Sequence, residues 1–173
     1  MKIERLRLSA TNRPIEVIRY WHDEGHLELS PPYQRGDVWG QIRQRNLIRS
    51  ILLGVPIPSI IINDRFSPSY NSDKESWGLE KSDCIAVIDG KQRMTAILAF
   101  LQDDLTVPGE WFGLVGEITY SMLPMPQQRG FKHYPIQFCE GQLRNLEEER
   151  EVFELVNFGG VPQGETDLPN ELA

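Results

Sequence analysis

Nowhere in the 173 residues does an apolar run approach the length of a membrane-spanning helix, and the opening Met1-Lys2-Ile3-Glu4-Arg5 is not followed by the apolar stretch of a secretion signal. Cysteine is scarce. Cys84 and Cys139 sit in apolar surroundings and match no metal-ligand spacing, which reads as two buried free thiols in a reducing compartment rather than a disulfide framework. Positive charge is also short: a net charge of -7 excludes the broad positive field of a protein that coats DNA without regard to sequence. No internal repeat is visible, so solenoids and propellers are not expected. What remains is an ordinary globular composition, 40% hydrophobic and 25% charged, in a chain long enough for one core. The expected location is cytoplasmic, with no membrane partner.

The charge is unevenly spread. Over residues 31–53 four arginines (Arg35, Arg43, Arg45, Arg49) stand against one carboxylate, Asp37, whereas over residues 140–173 nine carboxylates face two arginines. Phosphate chemistry therefore belongs to the first half. There, Pro14 followed by Ile15, Ile18 and Trp21 reads as a short amphipathic helix with the proline in its first turn, stopping near Gly25. Leu27 and Leu29 alternate with polar residues as in a short strand. Ile42, Leu47, Ile48, Ile51 and Leu52 give a helix over about residues 41–53, ended by Gly54 and Pro56. The continuous run Ile60-Ile61-Ile62 reads as a strand buried on both faces.

Between residues 64 and 83 the composition turns to Ser, Pro, Asn, Asp, Lys and Glu, as in a hairpin excursion or a surface loop. Cys84-Ile85-Ala86-Val87-Ile88 is the clearest buried strand and breaks at Asp89-Gly90. Met94, Ile97, Leu98 and Leu101 then recur at helical spacing, so a helix begins near Gln92 and packs on that strand. Residues 135–139 read as another strand. Asn145 with Glu148 three residues on forms a capping box for a helix through about Asn157, with Phe153 and Val156 facing inward and Gly159-Gly160 closing it. The tail from Pro162 is polar and expected to be extended or frayed.

A strand that delivers a tight turn straight into a helix leaves the helix's first N–H groups unpartnered at the positive end of its dipole, which makes an anion site. Gly90 permits close approach of backbone, Arg93 offers a planar fork to phosphate oxygens, and Lys91 adds a mobile positive charge. One arginine is not enough: a charged hydrogen bond contributes about 1.5–3 kcal/mol, the helix end up to about 2, and micromolar binding needs about 8. Tyr33-Gln34-Arg35, on a segment stiffened by two prolines, is the best second contributor, with Arg35 on a phosphate and Gln34 and Tyr33 on sugar or base. Structural alternatives stand beside each: Arg93 could pair with Asp89, Tyr33 could be core, and Asp-Gly could be only a turn. Asp89 could also hold a magnesium ion, although no second acidic ligand has an identifying spacing.

Four ordered blocks extend this pattern: Pro32-Tyr33-Gln34-Arg35 with Val38-Trp39; Leu47-Ile48 with residues 50–58; residues 87–95, which include Thr95; and residues 153–162. Together they resemble the N-terminal domain of GmrSD-type, type IV restriction systems. The resemblance implies an α+β, ParB/sulfiredoxin-like fold, a small mixed sheet flanked by helices, over residues 1–163 with a polar tail over 164–173. It implies a domain that binds and hydrolyses nucleoside triphosphate and regulates attack on modified foreign DNA. Asp89, Gly90, Gln92 and Arg93 match the family's Asp-Gly-Gln-Gln-Arg motif, Gln34 and Arg35 its Tyr-Gln-Arg motif, and Asn157, Gly159 and Gly160 its later Asn-x-Gly-Gly element. Lys91 departs from the usual first glutamine, which leaves phosphate binding in place but touches the hydrolytic geometry. The sequence stops about a dozen residues after Gly160, and His22, His26 and His133 form no nuclease motif, so a cutting module is expected to reside elsewhere. Sulfiredoxin chemistry is not expected, because Lys91 and Gln92 stand where its cysteine would be needed.

Three readings follow. In the first, a nucleotide-binding regulatory domain, with hydrolysis as a further step, serves restriction of foreign DNA or its evasion. Asp89, Gln92 and Arg93 are its candidate catalytic residues. Tyr33, Gln34, Arg35, Gly90, Lys91, Arg93, Thr95, Asn157, Gly159 and Gly160 are its nucleotide ligands, with magnesium as the cofactor and a separate nuclease or host defence protein as partner. In the second, a non-catalytic interaction or inhibitor protein keeps the fold and docks a partner, or imitates DNA, through an acidic segment that includes Glu147, Glu148, Glu149 and Glu151. In the third, a ParB-like protein binds or nicks DNA through Arg43, Arg45 and Arg49.

Overall fold

The two β-branched runs of the sequence become the middle of one sheet. A computed structural model describes residues 6–34, 39–70 and 84–158, and within it β3 (Ile60–Asp64) pairs antiparallel with β4 (Ile85–Asp89). β7 (Pro135–Gly141) lies parallel to β3 on its other side, and β1 (Leu8–Pro14) closes that edge antiparallel to β7, Leu8 opposite Gly141 and Pro14 opposite Pro135. β2 (Leu27–Glu28) adds to β4 in parallel, so the five strands stand in the order β1-β7-β3-β4-β2. Five helices, α1 (Ile15–Asp23), α2 (Gln41–Leu52), α3 (Lys91–Leu101), α4 (Met125–Lys132) and α5 (Leu146–Phe158), complete the frame, with a two-stranded ribbon of β5 (Val107–Pro108) and β6 (Glu117–Ile118). The fold is α+β, a mixed sheet flanked by helices, and is consistent with a ParB/sulfiredoxin-like arrangement.

Strand alternation divides the apolar residues between two cores. Ile60, Ile62 and Val87 join Ile15, Ile18, Leu47, Ile48, Met94, Ile97 and Phe100 in the larger, where Phe100 meets Phe131 edge-on at 5.1 Å between centroids. Each such aliphatic side chain contributes about 1.5–3 kcal/mol on burial. Ile88, on the opposite phase, joins Leu143 and Val152, with Leu6, Ile61 and Phe153 packed around them, in a much smaller core that holds α5 to the sheet.

Several local expectations need correction. Pro14 ends β1 and sits at the N-cap of α1, one position before the first turn, with extended backbone. The expected loop after residue 64 starts late: Asp64 is still β3, its carboxylate accepts from the Phe66 N–H at 2.9 Å, and Tyr70 is buried. Residues 71–83 lie outside the described residues, as do Gly159, Gly160 and the tail. Val156 does not face inward but is 43% exposed, since the smaller core ends at Val152 and Phe153. Asn145 does cap α5, accepting from the Glu148 N–H at 2.9 Å, but the Glu148 carboxylate turns to Arg144 instead of closing the box. Neither cysteine is in a disulfide; Cys84 is buried and Cys139 only half-buried. Among the described residues, no helix is long and apolar enough to cross a membrane.

Candidate functional site

β4 runs out at Asp89, and the chain must turn at once to start α3. Gly90 makes that turn at φ +100, a backbone conformation hostile to a Cβ, and an added Cβ would meet both Ile60 γ-carbons at 3.0 Å and Arg93 Nη2 at 3.2 Å. Among the described residues no side chain caps α3, so the N–H groups of its first turn are left to whatever lies in front of them. What lies there is a cleft of about 730 Å³. Asp89, Gly90, Lys91, Gln92 and Arg93 line it together with Tyr33, Gln34 and Trp39, and α5 contributes Arg150, Phe153, Glu154 and Asn157.

Most of the candidate side chains in this cleft already hold one another. Arg93 Nη2 donates to Asp89 Oδ2 at 2.6 Å and to the Ser59 carbonyl at 3.1 Å, the structural pairing the sequence left open. Gln92 Oε1 accepts from the Trp39 N–H at 3.1 Å. Gln34 Nε2 donates to the carbonyls of Val87 and, at 2.8 Å, Ile88, which locks its segment to the end of β4. Tyr33 donates to Glu149 Oε2 at 3.1 Å, and Asn157 Nδ2 to the Phe153 carbonyl of its own helix at 2.8 Å. Lys91 stands apart: among the described residues it makes no ion pair. Thr95, one turn further along α3, is half-buried and outside the cleft lining. Arg35, Gly159 and Gly160 lie outside the described residues.

A family model for the N-terminal domain of the GmrSD restriction endonuclease matches residues 22–137, about two thirds of the chain. The chain belongs to the GmrSD N-terminal domain family. No curated protein and no solved structure matches it. The match takes in β2, the Tyr-Gln-Arg segment, α2, β3, β4, the whole of α3 and α4. The α5 side of the cleft in this GmrSD domain lies beyond the matched residues.

That α5 side is held by a buried polar cluster the sequence reading missed. Glu149 is 0% exposed and Arg65 8% exposed. The Arg65 fork clasps the Glu149 carboxylate with two bonds, Nε to Oε1 at 2.7 Å and Nη2 to Oε2 at 2.6 Å, and its Nη1 meets Glu28 of β2. Asn63, fully buried on β3, donates to Glu149 Oε1 at 2.8 Å and accepts from the Leu143 N–H at 2.8 Å. With Tyr33 as a further donor, the carboxylate is fully served. Burial works to lower the Arg65 pKa, but the bonds and charge of Glu149 outweigh it and hold the guanidinium above its ordinary range. Burial, reinforced by the Glu149 charge, pushes the Tyr33 hydroxyl well up and the Tyr70 hydroxyl up to about 12. Glu149 sits among glutamates that look alike in sequence. Its helical phase, three residues before Val152 and four before Phe153, was the signal that could have singled it out.

The cluster takes Glu149 out of the acidic segment, since its charge is buried, while Glu147 and Glu151 are exposed. On the arginine-rich α2 of this GmrSD domain, two of the three arginines have partners. Arg45 binds Glu117 at 2.7 Å and Thr106 at 3.0 Å, and Arg49 stacks over Trp111; Arg43 is exposed. None of the three lines the cleft. Among the described residues no group of three or more His, Cys, Asp or Glu side chains is placed to share a metal ion.

Proposed function

We propose that this GmrSD domain binds the polyphosphate of a nucleotide at the start of α3 and serves as the nucleotide-responsive part of a restriction system. The observation that carries the reading is the first turn of α3, which among the described residues has no side-chain cap and no ion pair on Lys91, opening into a cleft of about 730 Å³, a volume in the range of small-ligand sites. The helix end and Lys91 supply positive potential without breaking any contact. Arg93 bonds Asp89 and the Ser59 carbonyl through Nη2 alone; where a phosphate draws the guanidinium off Asp89, the freed carboxylate becomes available to a magnesium ion arriving with the nucleotide.

Binding without turnover is a second reading, favoured by the engagement of Asp89 with Arg93 and of Gln92 with Trp39. Calorimetric titration with ATP, GTP, CTP and UTP, each with magnesium, alongside a phosphate-release assay, tests both. The reading expects binding in the micromolar range, weakened about tenfold by Lys91→Ala, the loss of one charged contact. An absence of binding at millimolar nucleotide rejects it, and binding without release of phosphate selects the second reading.

A further inference from the structure

On α5 the cleft is lined by Arg150, Phe153, Glu154 and Asn157, positions i, i+3, i+4 and i+7 of one helical face. The neighbouring face, through Glu149 and Val152, is buried against the sheet, so this stripe is presented to the cleft by a firmly held helix. Its composition is unusual for a lining that only fills space: one aromatic ring, one cation, one carboxylate and one amide. Phe153 is itself propped by Tyr33, with ring centroids 5.6 Å apart and planes tilted 49°. Arg150 Nε pairs with Glu154 Oε1 at 3.0 Å, but both side chains are more than half exposed, so the pair is weak and open to a better partner.

Resting on the nucleotide reading, we infer that this α5 stripe is a nucleobase subsite with a preference for guanine. The phosphate end of the cleft is insensitive to the base, so any discrimination falls to α5. A π-face such as Phe153 accepts every base by stacking. The Arg150–Glu154 pair is selective, because it sets an acceptor carboxylate beside a donor fork. Guanine alone of the common bases offers two adjacent donors, N1–H and the 2-amino group, to both carboxylate oxygens, with the O6 acceptor next to them for the arginine. Adenine and cytosine turn one amino donor and one bare ring nitrogen toward a carboxylate. Uracil turns one N–H flanked by two carbonyl oxygens, which the carboxylate repels.

The test is calorimetric titration of the full chain, with magnesium, against GTP, inosine triphosphate (which lacks only the 2-amino group), ATP, CTP, UTP and inorganic triphosphate. The expected result is GTP tighter than inosine triphosphate and than ATP by about tenfold, the order of one well-placed bidentate contact. Glu154→Ala, on an exposed position, brings the ratio of GTP to inosine triphosphate affinity close to one. Equal affinity for all the nucleotides and for inorganic triphosphate overturns the guanine subsite while leaving the phosphate site standing. A GTP preference that survives Glu154→Ala overturns it too, and absence of binding by any of these ligands overturns both.

Discussion

Replacing Glu149 with alanine takes the bidentate carboxylate away from the buried Arg65 guanidinium. Two of its bonds vanish at once, and Asn63 and Tyr33 lose an acceptor, while the bond from Arg65 to Glu28 remains. Removing one partner of a buried pair costs about 3–5 kcal/mol, because the other charge is left uncompensated. Against a typical total stability of about 5–15 kcal/mol this is a large fraction. At about 2–4 °C per kcal/mol for a domain of this size, it lowers the melting temperature by about 6–20 °C. Urea unfolding followed by tryptophan fluorescence and by circular dichroism measures it. A second variant keeps the reasoning testable if the first does not fold: Glu149→Leu with Arg65→Met removes both charges of the clasp and recovers part of the loss, since apolar replacement of a buried pair is often neutral or stabilising, while the orphaned Asn63 and Tyr33 donors keep the rest. A Glu149→Ala loss below about 1 kcal/mol, the scale of an exposed ion pair, would refute the view that the cluster holds α5.

Alkaline titration reads the same cluster from the tyrosine side. The Tyr33 and Tyr70 hydroxyls ionise above their unfolded value of about 10, so the stability they contribute is complete below about pH 10 and is lost as pH rises through about 12 for Tyr70 and higher still for Tyr33; phenolate absorbance should show two tyrosines that appear only with unfolding. On the acid side, the Glu140 carboxyl is held below its usual range chiefly by its hydrogen bonds from Arg13, so the tie between β7 and β1 is intact above the ordinary carboxylate range and lost as pH falls through the lowered value. Hydrogen exchange of the β1 amides should accelerate there in the wild type, and at neutral pH in Glu140→Gln. Gly90→Ala forces a Cβ into a positive-φ turn against Ile60, a cost of about 1–3 kcal/mol in chemical unfolding; unchanged stability would mean that the turn relaxes freely.

The central architecture was legible because its signals are local. Two β-branched runs, the Asp-Gly break and the i, i+3, i+4, i+7 apolar residues after it sufficed to anticipate β3, β4 and α3. β1 was not legible: Leu8-Ser9-Ala10-Thr11-Asn12-Arg13-Pro14 carries little apolar pattern and is a strand only because β7 supplies its hydrogen bonds and Glu140 binds Thr11 and Arg13. Tertiary pairing overrides weak local propensity in this way. At the candidate site the turn, Gly90 and the first turn of α3 followed from sequence spacing, and the pairing of Arg93 with Asp89 was one of two readings left open. The Arg65–Glu149 clasp joins residues 84 positions apart, and no spacing rule reaches that far.

The pairing of β1 with β7 also governs the order in which the protein can be finished. An amino-terminal segment made first must wait for one made more than a hundred residues later, and long-range pairing of that kind is slow to form. Glu28, the first counter-charge of Arg65, precedes it in the chain, but the bidentate one, Glu149, arrives later still, on the last helix described. During synthesis the segment after β3 therefore emerges with a guanidinium only part-served, and the face of the sheet that α5 covers cannot dry until that helix leaves the ribosome.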